Sequence, residues 1–442
     1  MQIYLASLGC AKNQVDSEVM LGRLSRAGYH LVSGPENAHV IVVNTCSFIQ
    51  PAADESIDTI LELARFKEEG SCRRLIVTGC LPERYREEIT TALPEVDQFL
   101  GTGAFDQIVS AVEEMTTGSG CILPDPGAAS PYRADDISLR AAPTFAYIKI
   151  AEGCNRHCTY CIIPKLRGRQ NSRQLTEILY EAQGLSEAGT RELILVAQDS
   201  TDYGSDLGES TGLADLLRGL APVVKGAWIR VMYGHPLSLS QDIVDSMAAH
   251  DNVCAYFDVP IQHASDRLLK RMGRHYTRQQ LHELFDAIRT RIPGAALRTT
   301  VITGFPGETD EDYQQLVQFV EEVKFDHLGV FTYSDAEDLP SNTFAGKVPV
   351  PLADERRDEL MLRQAQISAA INAGYVGQAL SVLVESVTDS MEAVGRTMFQ
   401  APEVDGITIV KTDPARQTLQ VGQLIEVKIT ESMDYDLFGV LA

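Results

Sequence analysis

The chain has 442 residues, of which 44% are hydrophobic and 22% are charged, so it is an ordered globular protein with room for two or three domains. No apolar run approaches the ~18 residues that a membrane span needs, and the first residues lack the basic start and cleavage site of a secretory signal. We therefore expect a cytoplasmic protein without a membrane partner.

The charge balance argues against a protein that binds nucleic acid chiefly through the phosphates of the nucleic acid. There are 38 Lys and Arg residues against 61 Asp and Glu residues, which gives a net charge of -23. Phosphate binding needs a basic surface, because each neutralised phosphate releases a counterion. A basic patch can still exist in an acidic protein, but the balance favours a small molecule or a basic protein as partner.

The first 115 residues alternate strand and helix patterns, which predicts an open doubly wound α/β sheet. The apolar runs that suit buried parallel strands are 2–8, 38–45, 73–79 and 96–100. The helical patterns that follow them are 14–27, 52–69, 83–92 and a last one from about residue 104. Residues 116–143 are rich in Gly, Pro, Ser and Ala, which is typical of a linker.

Strand and helix patterns resume in residues 144–372, where about six β/α units predict an open, partial version of the β/α barrel. Its strands are expected near 145–151, 192–197, 227–232, 253–259, 296–302 and 326–332, before a helical stretch at 353–373. Residues 373–442 show short alternating strands, which suit a small antiparallel β-barrel. These strands are expected at 379–387, 391–399, 406–410 and 423–430.

Nine cysteines, an odd number in a large intracellular chain, indicate metal ligation or redox chemistry rather than a disulfide framework. Cys154, Cys158 and Cys161 form a C-x3-C-x2-C motif just after the first strand of the predicted partial barrel. Three thiolates this close can hold three irons of a cubane cluster and leave the fourth iron open to a substrate. A zinc site that adds His157 is the alternative, although zinc pairs usually recur as two separated C-x2-C units.

A second set, Cys10, Cys46 and Cys80, is dispersed along the first domain. Each cysteine follows one of the first three predicted long strands, and carboxyl ends of parallel strands share one edge of a sheet. We therefore expect the three to meet in space, although scattered structural cysteines are the alternative. The remaining cysteines have no such placement and are interpreted as structural; they are Cys72, Cys121 and Cys254.

The cysteine triplet, with an aromatic residue before its last cysteine, resembles the radical S-adenosylmethionine superfamily. A segment with two glycines around a proline, Gly304-Phe305-Pro306-Gly307, ends a predicted strand in the same region. Alone it is also compatible with an ordinary strand-end turn, but beside the triplet it indicates a contact with the methionine part of the cofactor. The resemblance further implies that Tyr160 lies near the adenine and that Gln198 and Gln262 end strands facing the ligand.

Three more segments match, in order, the methylthiotransferase family: Ser7-Leu8-Gly9-Cys10-Ala11-Lys12-Asn13, Asn44-Thr45-Cys46 and Thr78-Gly79-Cys80. The resemblance covers nearly the whole chain. It implies a first domain with one 4Fe-4S cluster on Cys10, Cys46 and Cys80, and a radical core with a second cluster that binds S-adenosylmethionine. It also implies a C-terminal TRAM barrel.

Two bacterial branches of this family share the layout. One modifies an isopentenylated adenosine beside the tRNA anticodon, and the other modifies an aspartate of ribosomal protein S-twelve. The segment SLGCAKNQVDSE is similar to the second branch, whereas the tRNA branch more usually reads GCQMN. The tail from 375 to 442 has ten acidic and four basic residues, which suits a basic ribosomal protein better than phosphate. We therefore favour the branch that acts on ribosomal protein S-twelve, and the tRNA enzyme is the nearest alternative.

By the same resemblance, the reaction begins with a 5′-deoxyadenosyl radical that takes hydrogen from the aspartate β-carbon, and the N-terminal cluster carries the sulfur that is delivered. An electron donor and a sulfur donor are also implied. The substrate S-twelve is either the free protein or part of the small ribosomal subunit. A non-catalytic iron–sulfur electron carrier or RNA-binding scaffold is the alternative of another class. It would need the cysteines but not Gly304-Phe305-Pro306-Gly307, which argues against it.

Overall fold

The computed structural model describes residues 1–113, 120–128, 131–137, 144–208, 211–388, 392–412 and 419–442. Parts of the predicted linker at 116–143 and the predicted start of a strand at 391 lie outside these residues. No helix among the described residues has both the length and the apolar character needed to cross a membrane.

The N-terminal region is a parallel sheet of six strands in the order β2-β1-β3-β4-β5-β6, which confirms the doubly wound α/β prediction. Its strands are β1 Gln2–Ser7, β2 His30–Leu31, β3 Val40–Thr45, β4 Arg74–Gly79, β5 Gln98–Leu100 and β6 Gly120–Ile122. Its helices are α1 Ala11–Arg26, α2 Gln50–Ala64, α3 Phe66–Glu69, α4 Cys80–Tyr85, α5 Ile89–Ala92 and α6 Ile108–Glu113. Strand β6 lies inside the segment predicted as a linker and extends the sheet by one edge strand.

Both faces of this sheet are covered by helices, which explains the unbroken apolar run of β3. Val40 and Val42 pack with α1 on one face, whereas Ile41 and Val43 pack with α2 on the other. A parallel strand buried on both faces has no polar alternation, because successive side chains point to opposite faces.

The central region contains six parallel strands in two three-stranded sheets, β11-β10-β7 and β12-β13-β14, as expected for an open partial barrel. A parallel bridge between Ile229 and Val253 links the two sheets. The six parallel strands are β7 Phe145–Lys149, β10 Glu192–Val196, β11 Trp228–Val231, β12 Tyr256–Asp258, β13 Ala296–Thr303 and β14 His327–Thr332. A separate antiparallel pair is formed by β8 Ala151–Glu152 and β9 Asn171–Ser172. The helices are α7 Ile163–Arg167, α8 Leu175–Glu187, α9 Leu213–Val223, α10 Gln241–Ala248, α11 Asp266–Arg271, α12 Arg278–Arg291, α13 Asp310–Val323 and α14 Val350–Ala373.

The C-terminal region is a closed five-stranded barrel in the order β15-β16-β17-β19-β18. Its strands are β15 Ala379–Thr388, β16 Glu392–Arg396, β17 Thr408–Lys411, β18 Leu424–Ser432 and β19 Leu437–Leu441. Strand β19 was not predicted, and its pairing with β17 is parallel, whereas the other described pairings in this barrel are antiparallel.

The small barrel docks on the amino-terminal end of the central strands. Glu192, the first residue of β10, forms an ion pair with Arg396 at 2.6 Å. Tyr256 and His327, the first residues of β12 and β14, both contact Asp405, the tyrosine hydroxyl donating to it at 2.7 Å. The carboxyl-terminal ends of the central strands, where ligands bind in β/α folds, therefore lie at the other end of the barrel.

Candidate active site

The three dispersed cysteines meet at the carboxyl edge of the N-terminal sheet. Cys46 and Cys80 directly follow β3 and β4, and Cys10 lies between β1 and α1. The electrostatic environment of Cys80 includes both of the other thiols, and that of Cys46 includes Cys10. The structure thus brings together side chains that are up to 70 positions apart in sequence, at three neighbouring strand ends.

The residues that flank these cysteines hold the strand ends in place. The Asn13 amide donates hydrogen bonds to the Leu8 carbonyl at 3.0 Å and to the Thr45 carbonyl at 2.8 Å, so it ties two loops together. Gly9 has a φ of +93°, and a Cβ placed there would lie only 2.7 Å from the Cys46 Cβ. A glycine is therefore required for Cys46 to approach this loop.

The three thiols differ in their electrostatic surroundings. Burial raises the pKa of Cys80 to about 11 and also raises the pKa of Cys46. Burial acts on Cys10 in the same direction, but the positive charges of Lys12 and Arg167 outweigh it and lower the Cys10 pKa. Part of Cys10 reaches solvent, whereas Cys80 is 5% exposed.

The second triad, Cys154, Cys158 and Cys161, lies in the loop after β7 and β8, at the carboxyl end of the central barrel. The Cys154 N–H donates to the Gly168 carbonyl at 3.1 Å, and the Cys161 N–H donates to the Cys158 carbonyl at 3.1 Å. All three side chains are half-buried. Burial raises the pKa of Cys154 to about 11 and that of Cys161 to about 12.

The donor sets fit two cubane clusters, because each site offers three sulfur ligands and a cubane takes one thiolate per iron. No group of three or more His, Cys, Asp or Glu side chains converges on a single metal-ion position in the part of the chain that the structure describes. His157, which the zinc alternative adds to the second triad, is exposed. The second triad also has a cation beside it, since Arg274 donates to the Cys158 Sγ at 3.7 Å.

The two triads lie on either side of the boundary between the N-terminal and central regions. Cys80 packs in one buried cluster with Ile162, the residue that follows Cys161. Leu166 and Leu339 complete this cluster. The two cysteine sites are therefore adjacent in space, although 81 positions separate Cys80 from Cys161 in the sequence.

A buried charge network fastens this boundary. Arg167 donates to Asp16 of α1 at 2.7 Å, to Glu152 at 3.3 Å and to the Cys80 Sγ at 3.5 Å. Lys149 binds the same two carboxylates, with the Glu152 contact at 2.5 Å. Burial would raise the Glu152 pKa, but the charges of Lys149 and Arg167 outweigh it and hold that pKa well below its usual value.

The predicted cofactor contacts near the second triad lie around the barrel mouth. Tyr160 is half-buried and packs edge-on against Phe305, with 6.4 Å between ring centroids. Gln198 follows β10 and donates to Glu152, and its buried Oε1 has no described hydrogen-bond partner. Gln262 has a φ of +67° and bridges to Val301 of β13.

The segment Gly304-Phe305-Pro306-Gly307 forms a tight turn in which protein atoms occupy the space beside each glycine. Gly304 has a φ of +77°, and a Cβ there would lie 2.4 Å from the Cβ of Ala353 in α14. Gly307 has a φ of +90°, and its N–H donates to the Gly346 carbonyl at 2.6 Å. Close approach to α14 and to a neighbouring loop therefore requires these glycines, whether or not a ligand also lies against them.

Sequence reasoning missed the charged residues between the triads. Arg167, Lys149, Glu152 and Asp16 carry no motif of their own, and their role depends on contacts across more than 100 residues. The cysteines interpreted as structural lie away from both triads: Cys72 packs beneath the N-terminal sheet, Cys121 is in β6 and Cys254 is fully buried.

Family models match each of the three regions. A model described as uncharacterized protein family UPF0004 matches residues 2–101, the Radical SAM superfamily model matches residues 148–320, and a TRAM domain model matches residues 376–441. The sequence resemblance in each region is confirmed by these matches.

The chain is similar over its full length to proteins named "Ribosomal protein uS12 methylthiotransferase RimO". The one from Desulfosudis oleivorans is 50% identical over 440 residues, which is 99% of both chains. The one from Clostridioides difficile is 44% identical over 441 residues, covering 99% of this chain and 98% of its own. The one from Geobacter sulfurreducens is 44% identical over 443 residues, with coverage of 99% and 98%.

Solved structures share the fold at low sequence identity. The radical S-adenosylmethionine methyltransferase TsrM from Kitasatospora setae, with its tryptophan substrate and an analogue of S-adenosylmethionine bound, has a TM-score of 0.58 at 14% identity, covering 83% of this chain and 89% of its own. The cobalamin-dependent radical enzyme OxsB has a TM-score of 0.53 at 13% identity, covering 83% and 57%. These structural similarities show a shared fold alone.

Proposed function

Because the chain belongs to the family of ribosomal protein uS12 methylthiotransferases, we propose that it transfers a methylthio group to the β-carbon of an aspartate in uS12. The chain is a radical S-adenosylmethionine enzyme that uses 4Fe-4S clusters. The tRNA branch and the non-catalytic carrier have no support among these relatives. We place the enzyme in the cytoplasm, whose reducing conditions suit exposed clusters.

The observation that carries this proposal is the adjacency of two cysteine triads at one domain boundary. When bound, the cofactors supply a 5′-deoxyadenosyl radical at Cys154, Cys158 and Cys161 and a transferable sulfur at the first triad. The chain's own residues fix the relative position of the two sites. The ion-pair network around Arg167 joins the N-terminal and central regions, and Arg167 also contacts Cys80. Radical generation and sulfur delivery at one carbon need such adjacency, because reacting groups must be positioned together.

The direct test is the product. Anaerobically reconstituted enzyme, given S-adenosylmethionine, a reductant and uS12, is expected to place a methylthio group on one aspartate of uS12, as read by mass spectrometry. A deletion strain should contain unmodified uS12 and normally modified tRNA. If the deletion strain lacks the methylthio group on tRNA instead of on uS12, the proposal is contradicted. Production of 5′-deoxyadenosine by the reconstituted protein distinguishes an enzyme from an electron carrier.

The acidic tail is proposed to attract the basic substrate rather than to surround the target aspartate. The small barrel docks at the amino-terminal end of the central strands, whereas both triads lie toward the carboxyl end. Strands of three to eight residues separate these ends by about 10–25 Å. Exposed charges at that distance act mainly on the rate of encounter, and salt screens them.

Reversing three exposed tail charges is therefore expected to slow uS12 modification on the order of 10-fold at low salt. The variant is Glu426→Lys, Glu431→Lys and Asp434→Lys, all on exposed side chains. Asp436 is left unchanged, because its Oδ1 accepts a hydrogen bond from the Ile407 N–H at 2.9 Å. The measurement is the initial rate of uS12 modification as a function of ionic strength.

A matched control reverses three exposed acids on the N-terminal region: Glu68, Glu69 and Glu95. It changes the net charge equally but should slow the reaction less. The tail's role is contradicted if both triple variants behave alike, or if the slowing persists at high salt.

A further inference from the structure

Lys12 is a nearly buried cation that forms no ion pair with a carboxylate among the described residues, although its charge interacts with the Cys10 thiol and with Glu152. Its side chain is 9% exposed, and it makes no ion pair or side-chain hydrogen bond in the part of the chain that the structure describes. Buried lysines are normally paired, since an uncompensated charge is costly to remove from water. Lys149, which is 4% exposed, has two carboxylate partners and shows the usual arrangement.

The position of Lys12 places it between the two halves of the site. It lies in the first turn of α1, two residues after Cys10, and its charge interacts with that thiol. Its Nζ lies 3.3 Å from the ring centroid of Tyr233, just beyond the carboxyl end of β11. The Lys12 side chain therefore lies between the N-terminal triad and the mouth of the central barrel.

The partner ring is held in an unusual backbone conformation. Tyr233 has a φ of +63°, a left-handed region that L side chains rarely adopt. Its N–H donates to the Asp258 carboxylate at 2.9 Å, and its carbonyl accepts from the Ser200 N–H at 2.9 Å. Such strain persists only where neighbouring contacts fix it, and here it presents an aromatic face to Lys12.

We propose that Lys12 binds the side-chain carboxylate of the target aspartate and so holds its β-carbon between the two triads. This inference rests on the proposed function, which makes an aspartate the reacting residue. A carboxylate is the anion that an aspartate offers, and it lies one bond from the carbon that is modified.

Lys12 is accordingly a specificity residue that distinguishes an acidic side chain from an uncharged one. A charge-assisted hydrogen bond is worth enough to change kcat/KM by roughly 10- to 100-fold. An uncharged side chain at position 12 should remove this preference without removing the metal ligands.

The test is a double-mutant cycle between enzyme and substrate. The enzymes are the reconstituted wild type and Lys12→Met, and the substrates are uS12 and uS12 with the target aspartate replaced by asparagine. For the wild type we expect the asparagine substrate to lose about 10- to 100-fold in kcat/KM. The Lys12→Met enzyme should lose as much in kcat/KM with the aspartate substrate. For this variant, the asparagine substrate should have a kcat/KM no more than about 3-fold below that of the aspartate substrate.

Two further variants serve as controls for the role of the Lys12 charge. Lys12→Arg keeps the charge and is expected to recover part of the preference for aspartate. Lys225→Met changes an exposed lysine on another face and should leave the preference unchanged. Calorimetric binding of the two uS12 forms gives the same comparison for any variant that is too slow to assay, and Lys12→Gln replaces Lys12→Met if the latter does not fold.

The outcomes separate the two proposals. A wild type that does not modify uS12 refutes the proposed function, and the assignment of Lys12 with it. A wild type that modifies uS12, combined with a Lys12→Met variant that still prefers aspartate by 10-fold or more, refutes the Lys12 assignment alone. A shift in cluster reduction potential with an unchanged aspartate preference also refutes it, since Lys12 would then serve the thiolates.

Discussion

Replacing Cys154, Cys158 and Cys161 together with alanine is expected to abolish reductive cleavage of S-adenosylmethionine and to halve the bound iron. Reconstituted wild type should hold roughly eight irons, because two triads of thiolates each support a four-iron cluster. The half-buried triad lies in the loop after β7 and β8, and the thiols of Cys10, Cys46 and Cys80 are assigned to the other cluster. Iron analysis and chromatographic measurement of 5′-deoxyadenosine provide the readouts.

The reciprocal variant, in which alanine replaces Cys10, Cys46 and Cys80, should also lose half of the iron but should behave differently in turnover. We expect some uncoupled cleavage of S-adenosylmethionine and no methylthiolated uS12, since sulfur delivery is assigned to this triad. Cys121→Ala, in the edge strand β6, is the control and should keep full iron and product. Unchanged iron in the first-triad variant, or product from it, would contradict the division of labour.

The cysteine positions could be predicted because they depend on a rule of sheet topology. Carboxyl ends of neighbouring parallel strands share an edge, so three cysteines at such ends must come together once the strands are recognised. The strands themselves were recognisable because β3 and β4 are buried on both faces and read as unbroken apolar runs. The position of Cys46 after β3 and of Cys80 after β4 then followed from the sequence alone.

The contacts that join the two triads could not be predicted in this way. Asp16, in α1, binds Lys149 and Arg167, which are more than 130 positions away. Nothing in the local pattern of α1 marks Asp16 as a buried ligand of two cations, since an acid on an amphipathic helix usually faces solvent. Such a network becomes visible only when the docking of two domains is known.

The glycines at the end of β13 show a different limit. Their pattern suggested space for a ligand, and the structure shows that Gly304 makes room for Ala353 and that Gly307 contacts a second loop. A glycine in sequence indicates close approach or positive φ, but it does not identify which partner approaches. The position of the segment at a barrel strand's carboxyl end remains the stronger argument for a cofactor contact.

One fully buried carboxylate joins the small barrel to the central strands, and its removal is expected to be strongly destabilising. Glu192 is 0% exposed and accepts from Arg230 and from Arg396, each at 2.6 Å. Burial would raise its pKa, but these two guanidinium groups outweigh that effect and lower it. Glu192→Ala leaves both cations without this partner, and breaking a buried pair in this way costs about 3–5 kcal/mol.

Three regions unfold here, so a single two-state transition is a poor measure of this loss. Hydrogen exchange and limited proteolysis should instead show the small barrel released from the core in Glu192→Ala at temperatures where the wild type is intact. Glu321→Ala removes a carboxylate from an exposed pair with Arg363 and should cost no more than about 1 kcal/mol.

A triple variant separates the cost of unpaired charge from the loss of the pair itself. Replacing Glu192 with leucine together with Arg230→Met and Arg396→Met removes all three charges and keeps similar volume. Apolar replacement of a buried ion network is often neutral or stabilising, so the triple variant should be more stable than Glu192→Ala despite carrying more changes. If Glu192→Ala is as stable as Glu321→Ala, or if the triple variant is the least stable of the three, then Glu192 does not hold the domains together by neutralising the two buried arginines.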